Sequence, residues 1–212
     1  MNAADMLRAA PFAGDVQKRR NAETILAEFQ AARWPAGLAL AAIANAVAES
    51  NLNEFATGDG GHSIGLFQIN DLRGQLTFDF DRRDPEANTR HIMRELANKW
   101  TKSGQIGRYN ARESMQQAYQ RGASVPEMAA LFAAIVERPA DIPGEMAKRE
   151  ALTRNLFPEA AIRRASAVKY GGADVLLPAR TDVDPLSAAY WWGVAGAVAL
   201  LAGAIVWRRF RS

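Results

Sequence analysis

From Ala41 to Asn70 the chain reads AAIANAVAESNLNEFATGDGGHSIGLFQIN. It opens on an almost unbroken run of Ala, Ile and Val. An apolar stretch with no polar stripe predicts a helix enclosed by other elements rather than one lying on a surface. The run ends on a carboxylate, Glu49, followed by Ser50. Asn, Thr, Gly and Asp then predominate, which is turn chemistry, and a second short apolar segment from Ile64 to Ile69 carries Gln68. The expected arrangement is an acid at the lip of a buried helix, facing a polar loop. A carboxyl group partly desolvated by apolar neighbours keeps its proton to higher pH, which suits a general acid. By spacing alone, a solvated helix end is the other reading of Glu49.

The remaining chain supplies a core for such a helix. With 212 residues and 49% hydrophobic content, one domain of ordinary size plus an appendage is expected. The net charge of +3 is accounted for by Arg208, Arg209 and Arg211, since removing them from 26 basic residues leaves 23 against 23 acidic ones. The pI near 9.4 is therefore no argument for a nucleic-acid partner. The absence of Cys excludes disulfides and thiolate zinc sites, and with only His62 and His91 neither a structural metal nor another cofactor is expected.

The N-terminal 20 residues lack an apolar core of signal-peptide length, because Pro11, Asp15 and Lys18-Arg19-Arg20 interrupt it. Residues 1–14 read as an extension. Val16, Ile25, Leu26, Phe29 and Trp34 fit an amphipathic helix ending near Arg33, with the basic cluster on its solvated face. Leu76 to Phe80 reads as a short segment that could be a strand. Asp84-Pro85-Glu86 is a helix start, with Asp as cap and Pro in the first turn, and the helix continues to Trp100. A loop is expected over residues 103–107, then a helix from Ala111 to Gln120. Ser124-Val125-Pro126-Glu127 is a capping box for a helix whose stripe is Met128, Leu131, Phe132 and Ile135, ending at Glu137-Arg138-Pro139. Gly144 to Arg164 gives one more helix or two, interrupted at Pro158.

Two linked motifs carry a family resemblance. Ala48-Glu49-Ser50-Asn51-Leu52-Asn53, followed by Gly58-Asp59-Gly60-Gly61 and Ser63-Ile64-Gly65-Leu66-Phe67-Gln68-Ile69-Asn70, resembles the signature of the lysozyme-like peptidoglycan-cleaving superfamily. Soluble lytic transglycosylases have Met where Phe67 stands, and phage-tail lysozymes share the change to Phe. The Gly-Asp-x-Gly-x-x-x-Gly-Leu-x-Gln spacing is similar to that of goose-type lysozymes. Phe80 to Asn88, with Met93 to Leu96, resembles the transglycosylase Asp-Pro-x-x-Asn helix, whose role is scaffolding. Tyr109-Asn110-Ala111 resembles the transglycosylase Tyr-Asn-Ala-Gly element, with Arg112 in place of Gly. Phe132 to Pro139 resembles the Glu-Arg-Pro element of phage-tail lysozymes.

The resemblance implies an all-α, lysozyme-like domain over residues 15–164 that breaks the β-1,4 bond between N-acetylmuramic acid and N-acetylglucosamine in peptidoglycan glycan strands. Glu49 is implied as the acid. In a transglycosylase it then acts as base while the muramoyl 6-hydroxyl closes a 1,6-anhydro ring. In a hydrolase Asp59, at the goose-type position, would activate water; otherwise it shapes its glycine-rich turn. Gln68 is implied to hydrogen-bond a sugar, Ser63 to orient the loop or Glu49, and Tyr109 to line the substrate groove, while for Gln68 and Ser63 a purely structural role is open. Glu137 either lines the groove or pairs with Arg138 or a helix end. An inactive glycan-binding or virion-assembly module is the alternative to an enzyme, and the acid at Glu49 argues against it.

Residues 165–187, with Gly171-Gly172, Pro178 and Pro185, read as a linker. Residues 188–207 contain no charge and are followed by a basic tail, 208–212. Twenty such residues would span roughly 30 Å as a helix, the thickness of a bilayer core. Tyr190, Trp191, Trp192 and Trp207 fit interfacial belts, and the trailing arginines place the C-terminus on the cytoplasmic side with the domain on the cell-wall side. A single-pass protein exported without a visible signal is unusual, and a virion protein, with other virion proteins as partners, would resolve it.

Overall fold

The computed structural model describes residues 3–167, except 73, 103, 107–108, 112 and 138–139. The expected span 188–207 and the linker beyond residue 167 lie outside the described residues. Among the described residues, no helix is long and apolar enough to cross a membrane.

The domain is helix-dominated, as the lysozyme-like reading expects. Its helices are α1 (Ala3–Arg8), α2 (Val16–Ala31), α3 (Ala36–Ser50), α4 (Pro85–Lys99), α5 (Met115–Arg121), α6 (Val125–Phe132), α7 (Ile142–Leu156) and α8 (Glu159–Ala167). A 3-10 turn, Pro11–Gly14, precedes α2. Three two-residue strands, β1 (Thr57–Gly58), β2 (Ser63–Ile64) and β3 (Ile69–Asn70), form a small antiparallel sheet in that order.

At the centre lies α3, packed on α2, α6 and α7. Every residue from Gly37 to Ala46 is buried, and Val47, Ala48 and Glu49 emerge towards solvent. Enclosure on all sides explains why an Ala-rich sequence suffices: small side chains let neighbouring helices approach closely, and Ala is the best helix former. One polar residue interrupts this interior, Asn45, which is fully buried. Its Nδ2 donates to Ala41 O (2.8 Å) and Ala129 O (3.1 Å), tying α3 to α6.

The caps read from sequence are present. Asp84 accepts from the backbone N–H groups of Glu86 and Ala87 at the start of α4. Ser124 and Glu127 form both halves of a capping box on α6, and the Ser124 N–H donates to Glu127 Oε2 at 2.7 Å. Ser124→Ala is expected to cost about 1 kcal/mol, read as a lower urea midpoint with an unchanged slope.

Other expectations are corrected. Val16 is 69% exposed and not part of the apolar stripe of α2, because it is the first helical residue after the cap Asp15. Residues 3–14 are more than an extension: Met6, Leu7, Ala10 and Phe12 are buried and α1 packs on α2. Phe78 and Phe80 form no strand; they pack with His91, each ring centroid 5.5 Å from the imidazole. The loop expected after Ser103 is a hairpin, β4 (Gly104–Ile106) with β5 (Tyr109–Ala111). Ala111 is thus in a strand, and α5 begins only after Ser114, which makes its own capping box with Gln117. After Phe132 the last turn, Ala133–Glu137, is a π turn rather than a continuation of α6.

Candidate active site

Glu49 stands where α3 leaves the core. The helix ends because Asn51 takes a left-handed conformation (φ 55°), and Ser50 Oγ donates to Ala46 O (3.0 Å) and Leu66 O (2.8 Å). The end of the helix is therefore tied to the loop that carries the second motif. The Glu49 side chain is 25% exposed, open on one side and desolvated on the other.

On its buried side lies Arg149 of α7, whose side chain is only 7% exposed. Its guanidinium serves four acceptors. Nη2 donates to Glu49 Oε1 and to Glu137 Oε2 (3.0 Å), Nη1 to Glu145 Oε2 (3.0 Å), and Nε to Asn45 Oδ1 (3.0 Å). Lys148 Nζ binds the other oxygen of Glu145 at 2.6 Å. The π turn delivers Glu137 to this point, where α3 and α7 meet; such widened turns are frequent at functional sites.

Burial raises Glu49 above the ordinary carboxyl value; Arg149 and the hydrogen bond with Glu137 oppose the rise, and Glu145 and Asp59 add smaller upward pushes. Burial, then the Glu49 charge, pushes Glu137 up to about 8 against the pull of Arg149. The helix-end reading of Glu49 thus gives way to a carboxyl in a partly dry, charge-crowded setting.

The second motif forms the β1–β3 loop. Asp59, exposed and at φ 51°, accepts through Oδ2 from Ser63 Oγ (2.6 Å) and Asn70 Nδ2 (3.0 Å). Ser63 is buried and braces Asp59 rather than Glu49. Gln68 Nε2 donates to Ala56 O (3.1 Å) and Gly65 O (3.0 Å), so its amide closes the loop on itself. Tyr109 lies in β5 opposite Ile106, and its side chain, like Arg112, lies outside the described residues. Arg138 and Pro139 lie outside them too, and Glu137 accepts from Arg149 and lies within hydrogen-bonding reach of Glu49.

Along the chain, residues 20–159 match the phage tail lysozyme family. The chain belongs to that family. Neither a curated protein nor a solved structure matches it at a significant level. The phage tail lysozyme match runs from α2 to the first residue of α8 and takes in Glu49, Asp59, Ser63, Gln68, Tyr109, Glu137 and Arg149. Membership supports a lysozyme-like glycosidase with peptidoglycan as its substrate. What sequence reasoning missed is the floor of this candidate site, namely Arg149, Asn45 and Glu145. One signal was available: a lone Asn inside an Ala-rich buried helix must find hydrogen-bond partners.

Proposed function

We propose that this member of the phage tail lysozyme family breaks the N-acetylmuramic acid–N-acetylglucosamine β-1,4 bond of glycan strands with Glu49 as general acid and then base. The observation that supports this best is the Glu49 carboxyl, one face to solvent and the other among buried groups that hold its proton to higher pH. A glycan strand laid against the open face presents its glycosidic oxygen to that proton. In the second step Glu49 takes a proton either from the muramoyl 6-hydroxyl, as in a lytic transglycosylase, or from water, as in a muramidase. Asp59 acts by shaping the loop that faces Glu49, because both its described hydrogen bonds are spent on Ser63 and Asn70.

Digestion of purified peptidoglycan by the full chain, followed by mass spectrometry, tests the reading. Anhydromuramoyl ends identify a transglycosylase, reducing ends a muramidase. A folded chain that binds glycan and releases no fragment would leave a glycan-binding or assembly protein instead.

The setting proposed is the phage virion, with the domain on the cell-wall side of a membrane held by residues 188–207. The uncharged run, its aromatic flanks and the trailing arginines support the anchor. Truncation before Ala188 is expected to move the protein from the membrane pellet to the soluble fraction; equal partition of both forms would remove the anchor.

A further inference from the structure

Three carboxylates, Glu49, Glu137 and Glu145, surround Arg149, and among the described residues the cations that pair with them are Arg149 and Lys148. Three negative charges against two positive ones leave the cluster one proton short of neutrality. Glu145 is the best satisfied, with a cation on each oxygen. The deficit therefore falls on Glu49 and Glu137. These two carboxyls lie within hydrogen-bonding reach of each other, yet as ionised groups both could only accept. Glu137 Oε1 is buried and has no hydrogen-bond partner among the described residues. A buried acceptor without a donor is costly, and one proton on this pair removes both the repulsion and the missing bond.

The geometry points to a shared proton: Glu137, held by Arg149, stores the proton that Glu49 delivers to the substrate, and Arg149 is the positioning residue for both carboxyls. This rests on Glu49 being the acid. In the resting site Glu137 is the protonated partner and donates to Glu49, which is paired with Arg149. As the glycosidic C–O bond breaks, its electron pair goes to the leaving oxygen, and the Glu137 proton passes to Glu49, which delivers it to that oxygen. Both carboxyls are then ionised on either side of one guanidinium nitrogen, which offsets their repulsion. In the second step the attacking hydroxyl, muramoyl or water, forms the new bond to carbon and returns its proton to Glu49 and thence to Glu137. No other co-reactant is consumed.

The alternative without a store is less consistent with the contacts. A guanidinium directly on Glu49 favours its ionised form and pulls against the rise that burial gives it, which works against the acid role. A protonated neighbour restores the acid function without removing the cation that the second step needs. The charged groups acting on the pair are Glu49 from α3, Arg149 and Glu145 from α7, with Asp59 of the β1–β3 loop acting on Glu49.

The test uses the full chain, Glu137→Gln and Arg149→Lys, in two assays across pH: peptidoglycan cleavage and thermal unfolding. In the parent, cleavage follows a bell whose limbs belong to the pair rather than to either residue. Glu137→Gln removes the store and leaves Glu49 facing Arg149, so the basic limb is expected to move down by about one pH unit or more. Arg149→Lys keeps the charge and loses the fork, and is expected to lower kcat about tenfold or more with KM little changed. In unfolding, Glu137 binds its proton more tightly in the native state than at the ordinary carboxyl value of 4.5. Its contribution is complete below that pH and is lost as pH rises through about 8. The parent should therefore lose stability over that window, and Glu137→Gln should lose much less. Cleavage that depends on Glu49, with Glu137→Gln superimposable on the parent in both assays, would overturn the shared proton alone. A parent that cleaves nothing yet shows the Glu137-dependent loss of stability would keep the shared proton and remove the enzyme reading.

Discussion

Glu49→Gln is expected to lower the rate of glycan-strand cleavage by about three orders of magnitude while the domain stays folded. The amide matches the carboxylate in shape, and its oxygen can still accept from Arg149 Nη2, so the contact that ties α3 to α7 survives. What it cannot do is give a proton to a leaving oxygen or take one from a nucleophile, and both steps assigned to Glu49 need that. Thermal unfolding is expected to change little, because the substitution removes one of the three negative charges around Arg149 and none of the packing of α3. Release of soluble fragments, with a melting curve on the same preparation, checks both halves. A folded variant whose rate lies within about tenfold of the parent would mean that another group protonates the bond. With three carboxyls around Arg149, the next substitution would be obvious.

The parts of this site that the sequence made legible are those whose cause is local. The buried helix shows itself because the ten residues from Gly37 to Ala46 agree on its environment, and Asp84 and Ser124 announce α4 and α6 because a cap is a contact between residues two or three apart. Asn88 could be assigned to scaffolding from its motif, and the structure supplies the reason. It is fully buried, its Oδ1 accepts from Phe67 N (3.1 Å), and its Nδ2 donates to Arg82 O (2.8 Å) and Ile64 O (3.3 Å). The hairpin of β4 and β5 was hidden because Gly104, Gln105 and Asn110 have low strand propensity and show no alternation. Arg149 was hidden for a different reason. It lies 100 residues from Glu49 and four from Glu145, so along the chain it looks like an ordinary surface pair on a helix. Only tertiary packing turns that pair into the floor of the site. Glu137 was half legible, since its motif marks it while its partner belongs to a later helix.

Gly65→Ala is expected to destabilise the domain by about 4 kcal/mol or more, the largest stability effect among single methyl additions near the site. Gly65 has φ 86°, a conformation that L side chains rarely adopt. A Cβ there would meet Arg82 O at 2.1 Å and Asn88 Nδ2 at 2.4 Å. Neither neighbour can yield alone, because the Arg82 carbonyl is the acceptor of Asn88 Nδ2 and Asn88 in turn holds Phe67 N. Arg82 is itself fixed, its Nη1 donating to His62 O (2.6 Å) and Ile69 O (2.9 Å) and its Nη2 to Asp71 Oδ2 (3.2 Å). The added methyl must therefore move the segment that joins the β1–β3 loop to α4, and with it Leu66, whose carbonyl receives Ser50 at the foot of Glu49. Backbone strain, overpacking and a lost buried hydrogen bond act together, against a total stability of about 5–15 kcal/mol. Urea unfolding of the purified variant gives the number. A loss under about 1 kcal/mol would show that the loop and α4 are not rigidly joined through Asn88, and that the second motif holds its shape by other contacts.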